Sequence, residues 1–455
     1  MNTSHNKPSF LPREYRKVLA HYLNLIIPPH ASVLEVGTSS GFLLEHLTAA
    51  AKSGIDSDPQ AVESARECNP GAEISLGKGE DYVPVPVPDY VVISDTLNHV
   101  DDVQAVLEKV RSYARPETRL VITSYNTLWR PLLAFASALG LREPDGAPQN
   151  WLSHQDLWNL LELANWEIIK TDAKILCPVR VPLLSSILNR WIAPLLPFLC
   201  LSIIVIARPR KSLGTKPQTV SVVIPARNEA GNIPAAVSRT PQMGEWTELI
   251  FIEGNSTDDT WEAIQRVKAE NPDLRIKIGQ QPGKGKGDAV RMGYAMAEGE
   301  ILMILDADLT VPPEDLPKFY EAVANGSCEF ANGSRLVYPM EKKAMQFLNL
   351  CANKFFGVAF SWLLSQQVKD TLCGTKVLTK ENYLKIAANR SYFGDFDPFG
   401  DFDLIFGSDK LNLKIRDIPV RYRERTYGST NINRWSHGAL LFRMLGFAAR
   451  KLKFT

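Results

Sequence analysis

The sequence predicts an α/β protein of two domains, each a mainly parallel sheet covered by helices. Three observations lead there. The chain has 455 residues, more than one ordinary core accommodates. Short β-branched runs alternate with helical stretches in both halves, the pattern of successive strand–helix units. A Pro/Gly/basic stretch without periodicity, Arg208-Pro209-Arg210-Lys211-Ser212-Leu213-Gly214-Thr215-Lys216-Pro217, divides the halves. The expected domains are 1–207 and 219–455, with a linker over 208–218.

In the first half, Ser32-Val33-Leu34-Glu35-Val36-Gly37-Thr38-Ser39-Ser40-Gly41 reads as a strand, a glycine turn and a helix start. A second strand follows and ends at Gly54-Ile55-Asp56-Ser57-Asp58-Pro59, an acid about twenty residues on. Glycines there allow close backbone approach, and the acid suits ribose hydroxyls. Further strands are expected in Pro88–Asp95 and Arg119–Thr123, the latter before a long helical region, and at Trp166–Lys170 and Ser202–Ala207. Trp191–Ala207 is the longest apolar run. Pro194 and Pro197 interrupt it, and it falls short of the ~20 residues of a spanning helix, so its β-branched end reads as a buried strand.

In the second half, Thr219–Pro225 is a strand, followed by Ala226-Arg227-Asn228-Glu229 and an amphipathic helix from about Asn232. The strand Glu248–Ile252 ends at Glu253-Gly254-Asn255-Ser256-Thr257-Asp258-Asp259-Thr260, where Asp259 or Thr260 starts the helix Trp261–Ala269. A third strand, Arg275–Ile278, leads into Gly283-Lys284-Gly285-Lys286-Gly287-Asp288 and the helix Ala289–Ala297. The fourth, Glu300–Leu305, runs into Asp306-Ala307-Asp308. Two carboxylates one residue apart on an extended segment point the same way and suit a hard cation such as Mg²⁺ or Mn²⁺. All these polar clusters sit at strand ends, where parallel sheets bind ligands.

Composition narrows the class. Hydrophobic content of 45% and charged content of 22% are those of a soluble globular protein. Lys+Arg 51 against Asp+Glu 50 leaves no footprint for nucleic acid. Six scattered cysteines without a CxxC pair fit a reducing compartment and argue against a zinc site. The opening Met1-Asn2-Thr3-Ser4-His5-Asn6 lacks a signal-peptide pattern. The expected location is cytoplasmic, with peripheral contact on the cytoplasmic membrane face through the apolar stretch Ala344–Leu364 or the basic amphipathic tail Gly438–Phe454. The other reading of those stretches is two helices packed on each other or on a second subunit.

From Val220 to about Phe447 the chain resembles the GT-A nucleotide-sugar glycosyltransferases of family 2, above all the polyprenyl-phosphate (dolichol-phosphate type) hexosyltransferases. The resemblance rests on Val222–Glu229, Ile252–Asp258, Gly283–Gly287, Asp306-Ala307-Asp308, Gly333-Ser334-Arg335 and Asp370–Lys376 in that order. It implies that Pro225, Asn228, Glu229 and Glu253 line the nucleotide pocket, Glu253 replacing the usual Asp. It implies Lys284 and Lys286 at the diphosphate, their alternative being a solvated basic loop. Asp308 would hold the metal, and Asp306 the base, the ribose or the metal. Thr310 stands where relatives often have Gln. Arg421, Arg423 and Arg425, on one face if extended, would join Arg335 and Ser429 around an acceptor phosphate; the triplet otherwise reads as a charge-protected edge strand. Asp401 and Asp403 match the family's acidic pair and are the base candidates, or else stabilise a helix N-terminus.

From about Ser32 to Ala207 the chain resembles the class I S-adenosylmethionine-dependent methyltransferases, so that both domains would be Rossmann-like. Glu35, Gly37, Gly41 and Asp56 match the pocket pattern, with Glu80 or Asp81 on the adenine side and Asp95 and His99 nearby. Ser39 replaces the middle glycine. Together the resemblances imply an inverting, metal-dependent transfer of sugar from a nucleoside diphosphate to a polyprenyl phosphate or other lipid-linked glycan acceptor, with an attached methyltransferase. The alternatives are a methyltransferase whose sugar domain only binds substrate, and a non-catalytic assembly protein.

Overall fold

The computed structural model describes residues 10–139, 152–179, 181–211, 217–338, 347–390, 402–425, 427 and 434–455. The chain divides into two compact units, Met1–Arg210 together with Lys453–Thr455, and Lys211–Leu452.

The first unit is a seven-stranded sheet between helices. Its strands are β1 (Ser32–Val36), β2 (Ala51–Asp56), β3 (Glu73–Leu76), β4 (Tyr90–Ser94), β5 (Arg119–Tyr125), β6 (Trp166–Lys174) and β7 (Ser202–Pro209). They lie in the order β3-β2-β1-β4-β5-β7-β6. The first five run parallel, and β7 is antiparallel to both neighbours. Every residue of β4 is buried, which is why it reads as an unbroken apolar run rather than an alternating one. One face packs on the helix Phe10–Ile26 through Leu19 and Leu23, the other on the helix Val103–Tyr113 through Val106, Leu107 and Val110. Asp58 and Asp102 cap the helices that follow them by accepting from the amides of Gln60 and Ala105.

Two boundaries differ from expectation. Arg208 and Pro209, assigned to the linker, continue β7, paired with Glu167 and Trp166; the Arg208 guanidinium lies 2.6 Å from the Glu167 carboxylate. Lys453–Thr455, expected in the second domain, belong to the first unit. The Lys453 ammonium is buried and lies 3.1 Å from Asp172, which also pairs with Lys174 at 3.2 Å.

The second unit holds β8 (Val220–Ala226), β9 (Thr247–Glu253), β10 (Arg275–Gln280), β11 (Ile301–Ile304), β12 (Phe330–Ser334), β13 (Lys376–Thr379) and β14 (Ile415–Pro419). Their order is β10-β9-β8-β11-β13-β12-β14, and β13 is antiparallel to β11 and β12. The parallel run β10-β9-β8-β11 aims four carboxyl ends the same way. The helix Phe347–Leu364 and the helix Arg434–Leu452 pack together, with Phe442 lying 5.1 Å from Phe356 and 5.7 Å from Phe355 between ring centres. These are the two stretches expected to contact a membrane. Among the described residues no helix is long and apolar enough to cross one.

Burial alone would raise the Asp172 carboxyl, but Lys174 and Lys453 outweigh it and hold the group at about 2. A depressed carboxyl adds stability above its unfolded value of about 3.9, and that stability is lost as pH falls through the folded value. Asp172→Asn is therefore expected to lower the thermal midpoint of the first unit near neutral pH. The gap from wild type should close as pH falls from about 4 to about 2. A difference that persists in acid would assign the loss to packing instead.

Candidate functional site

The second unit gathers its polar groups beyond β8, β9 and β11. β11 ends at Ile304, so Asp306-Ala307-Asp308 lies past the strand in a turn closed by Leu309 N–H on the Asp306 carbonyl at 3.1 Å. The expected strand-end pair, both carboxylates on one side of an extended segment, is not formed, and the two take separate partners. Asp306 meets the Lys286 ammonium at 2.7 Å. Lys286 opens the helix Lys286–Met296, three residues before the expected start. Gly374 passes so close that a Cβ there would overlap both the Asp306 carboxylate and the Lys286 ammonium. Burial pushes the Asp306 carboxyl up, but Lys286, with help from Lys376 and Arg335, brings it below the usual range.

Asp308 faces Arg425, whose Nη2 lies 2.7 Å away, and the same guanidinium reaches Glu229 at 2.9 Å. Thr310 donates its amide (3.1 Å) and hydroxyl (2.8 Å) to the other Asp308 oxygen. Glu229 is raised by burial, which the pairing with Arg425 offsets in part, and it accepts from Asn232 at 2.7 Å. Two carboxylates thus converge on one positive centre. That oxygen-only donor pair fits a hard divalent cation in place of the guanidinium, although no cluster of three or more metal-ligating side chains forms among the described residues.

The neighbouring loops are laced together. Asn228, at φ 58, accepts from the Thr257 amide at 2.8 Å, and Glu253 accepts from the Ser256 amide at 2.5 Å and from Gln280 at 3.3 Å. Asn255 donates to the Gly283 carbonyl at 3.0 Å. Pro225 is half-buried in β8, and Lys284 is exposed.

On the expected acceptor side, Arg335 spends Nε and Nη2 on Asp370, at 2.7 and 2.9 Å, and stacks over Tyr422. The ladder ends at Pro419, so no strand aligns Arg421, Arg423 and Arg425. Arg421 lies over Tyr338, and Arg423 donates its amide to the Thr310 carbonyl at 2.9 Å. Only Arg425 enters the carboxylate cluster. Asp403 is paired with Arg390 at 3.0 Å in the first turn of the helix Phe402–Lys410. Asp401 and Ser429 lie outside the described residues.

The first unit has a cavity of about 470 Å³ beyond β1, β2 and β4, within the range of ligand pockets. Gly37, Asp56, Glu80, Asp95 and His99 line it; Glu35 and Gly41 do not. Gly41, at φ 73, is required because a Cβ would strike Ala65 and Asn69 on the next helix. Ser39 takes φ 50 and donates its amide to Asp56 at 2.7 Å. Asp95 is buried, accepting from Tyr15 and Thr123 at 3.0 Å each. Arg13, Tyr15 and Arg16 reach the cavity from the helix Phe10–Ile26, which the sequence reading left out. Its signal was an amphipathic stretch with adjacent Tyr15-Arg16 just ahead of β1. Burial pushes the Glu35 carboxyl up to about 8, with Arg16 pulling the other way. A glycine turn, an acid at the end of β2 and a buried acid at the end of β4 fit the amino-acid and ribose parts of S-adenosylmethionine.

Residues 221–374 match the family model for glycosyl transferase family 2, and residues 9–171 match that for a methyltransferase domain. The chain is 38% identical over 120 residues to the dolichol-phosphate mannosyltransferase of Pyrococcus furiosus, covering 26% of this chain and 33% of that protein. It is 28% identical over 228 residues to the glycosyltransferase AglJ of Haloferax volcanii, covering 50% of this chain and 70% of that one. Among solved structures it is similar to glucosyl-3-phosphoglycerate synthase from Mycobacterium tuberculosis, with 20% identity, coverage of 52% and 80%, and a TM-score of 0.38. The chain thus spans about a third of the first relative's length. Its second half carries a family 2 glycosyltransferase domain and its first half a methyltransferase domain.

Two outcomes follow. An acid raised in the fold is paid for as soon as the unfolded chain ionises, so stability should decline from about pH 4.5 until the folded group ionises near 8. Glu35→Gln is expected to flatten that decline in thermal unfolding of the first unit; an unchanged slope would place the titration elsewhere. Gly374→Ala is expected to part Asp306 from Lys286 and lower the thermal midpoint of the second unit; an unchanged midpoint in calorimetry would show that the loop gives way instead.

Proposed function

We propose that the protein transfers a sugar, with inversion, from a nucleoside-diphosphate sugar to a polyprenyl phosphate or related lipid-linked acceptor. The observation that carries this reading is the paired charge beyond β8 and β11, Asp306 with Lys286 and Asp308 and Glu229 with Arg425. Lys286 sits at a helix N-terminus, where both its ammonium and the helix dipole favour a diphosphate. Asp308 would hold Mg²⁺ or Mn²⁺, which supplies charge to offset the departing diphosphate. Asp306 stands beside the nucleotide. Asn228, Glu229 and Glu253 shape the loops around it.

The acceptor class turns on whether a base is needed. A hydroxyl acceptor needs a carboxylate to take its proton. Asp403 is held by Arg390. A phosphate monoester is already largely ionised near neutral pH, with a second pKa of about 6, and needs no such base. Arg421 and Arg423 are exposed cations suited to meet it, and Arg335 acts from behind, through its pair with Asp370 and its stack on Tyr422. The name of the Pyrococcus relative supports the same class. The enzyme would work at the cytoplasmic face of a membrane.

A second activity rests on the cavity of the first unit. It would take S-adenosylmethionine, which supplies an activated methyl group, with Asp56 at the ribose and Asp95 near the amino-acid part. The methyl acceptor would be a glycan or lipid handled by the second unit.

The test is a panel of UDP-, GDP- and dTDP-sugars with polyprenyl phosphate, scored by nucleoside diphosphate release with and without Mn²⁺. Asp308→Ala is expected to lower release by about 10²–10³-fold and leave S-adenosylmethionine binding unchanged. Asp56→Ala should do the reverse. No release with any donor, alongside methyl transfer that survives Asp308→Ala, would make methylation the chief activity.

A further inference from the structure

We propose that Arg16, aided by Arg13, grips the carboxylate on the amino-acid part of S-adenosylmethionine and selects it over forms of the cofactor that lack this group. The proposal rests on the reading of the first-unit cavity as the S-adenosylmethionine site. The strand order β3-β2-β1-β4 lays the cavity groups out in a row. Lys78 and Glu80 follow β3, Asp56 ends β2, the turn from Gly37 follows β1, and Asp95 follows β4. Neighbouring strands lie about 4.8 Å apart, so the row spans roughly 15 Å. That is the scale of an extended nucleoside bearing an amino-acid tail. With the ribose at Asp56, the adenine falls on the Glu80 side and the tail on the β1–β4 side. The tail carries one negative group, and that group needs a cation.

The glycine turn and the acids supply none. Among the described residues, the lysine and arginine side chains that line the cavity are Arg13, Arg16 and Lys78. Lys78 stands at the adenine end, 3.7 Å from Glu80 and 3.9 Å from Asp101. Arg16 stands at the tail end, where Glu35 and Asp95 lie opposite its guanidinium. Its Nη1 is nevertheless enclosed and donates to no acceptor, and Arg13 Nε is in the same state. An enclosed guanidinium N–H without an acceptor is costly. A carboxylate entering the cavity removes that cost through a charge-assisted hydrogen bond. The helix Phe10–Ile26 is fixed where both arginines reach the cavity. Tyr15 donates to Asp95 Oδ2 at 3.0 Å and meets the Ser202 hydroxyl on β7 at the same distance. Arg13 lies 5.8 Å from the centre of the Phe42 ring, in the short helix that follows the glycine turn. Asp95 takes its hydrogen bonds from Tyr15 and Thr123, so it holds Arg16 by charge without occupying Nη1.

The test is calorimetric binding to the full chain, with no turnover required. The probes are S-adenosylmethionine and its decarboxylated form, which keeps the nucleoside, sulfonium and ammonium and lacks only the carboxylate. Wild type is expected to bind S-adenosylmethionine roughly thirtyfold more tightly, the scale of a hydrogen bond to a charged group. Arg16→Gln should remove most of that preference and leave binding of the decarboxylated form unchanged. Arg13→Gln should remove a smaller part, Arg16→Lys should keep some of it, and Lys78→Gln should keep all of it. The wild-type comparison involves no variant, so it stands even where a variant fails to fold. Equal binding of the two forms by wild type would overturn the proposal and leave the cavity an S-adenosylmethionine site. So would equal weakening of both forms in Arg16→Gln, or a preference lost in Lys78→Gln instead. Binding of neither form would overturn the reading of the cavity, and the proposal with it.

Discussion

Asp370 is fully buried, and its charge is matched by one guanidinium. Arg335 gives it Nε, Nη2 and its own backbone amide, and the Leu372 amide completes the set. Those contacts hold the carboxyl below its usual range against the pull of burial. Losing either partner would strand a charge in the interior, at about 3–5 kcal/mol. The pair fixes the end of β12 to the loop that leads into β13. That loop carries Gly374 against Asp306 and Lys286, so the position of the turn after β11 depends on an ion pair that touches no ligand.

The same solution recurs at other acids near strand ends. Asp308 and Glu229 share Arg425, and in the first unit Arg16 stands opposite both Glu35 and Asp95. In each case the cation arrives from a different element of the chain. Parallel sheets gather polar termini at one edge, and the low dielectric there makes unmatched charge expensive. The carboxylates of the candidate sites therefore have a cation beside them before any ligand arrives, although Asp308 and Glu229 must share one. A ligand that takes one of these carboxylates must exchange with a side chain already there.

Local signals were legible in the sequence and distant ones were not. Runs such as Val91-Val92-Ile93 and Leu249-Ile250-Phe251-Ile252 marked buried strands because a covered sheet demands apolar residues on both faces. The glycine turns and the order of the motifs pointed to the correct families. The alternating arginines after Val420 do not lie in a strand, since period two means one face only while the chain stays extended in the ladder, and β14 stops at Pro419. Asp306 and Asp308 likewise lie past the end of β11, in a turn. The matches of Arg335 with Asp370 and of Arg425 with Asp308 span 35 and 117 residues, and nothing local announces them. Thr310, which stands where relatives often have Gln, donates its hydroxyl to the carboxylate it follows.

The first unit is discontinuous. Residues to Arg210 and the last three, Lys453–Thr455, form one body, with all of 211–452 between them. A ribosome delivers the sheet of that unit early and the ammonium for Asp172 only after the entire second unit has been made. Until then Asp172 has Lys174 alone. The unit that emerges first thus gains its second cation for Asp172 only once its neighbour has been synthesised.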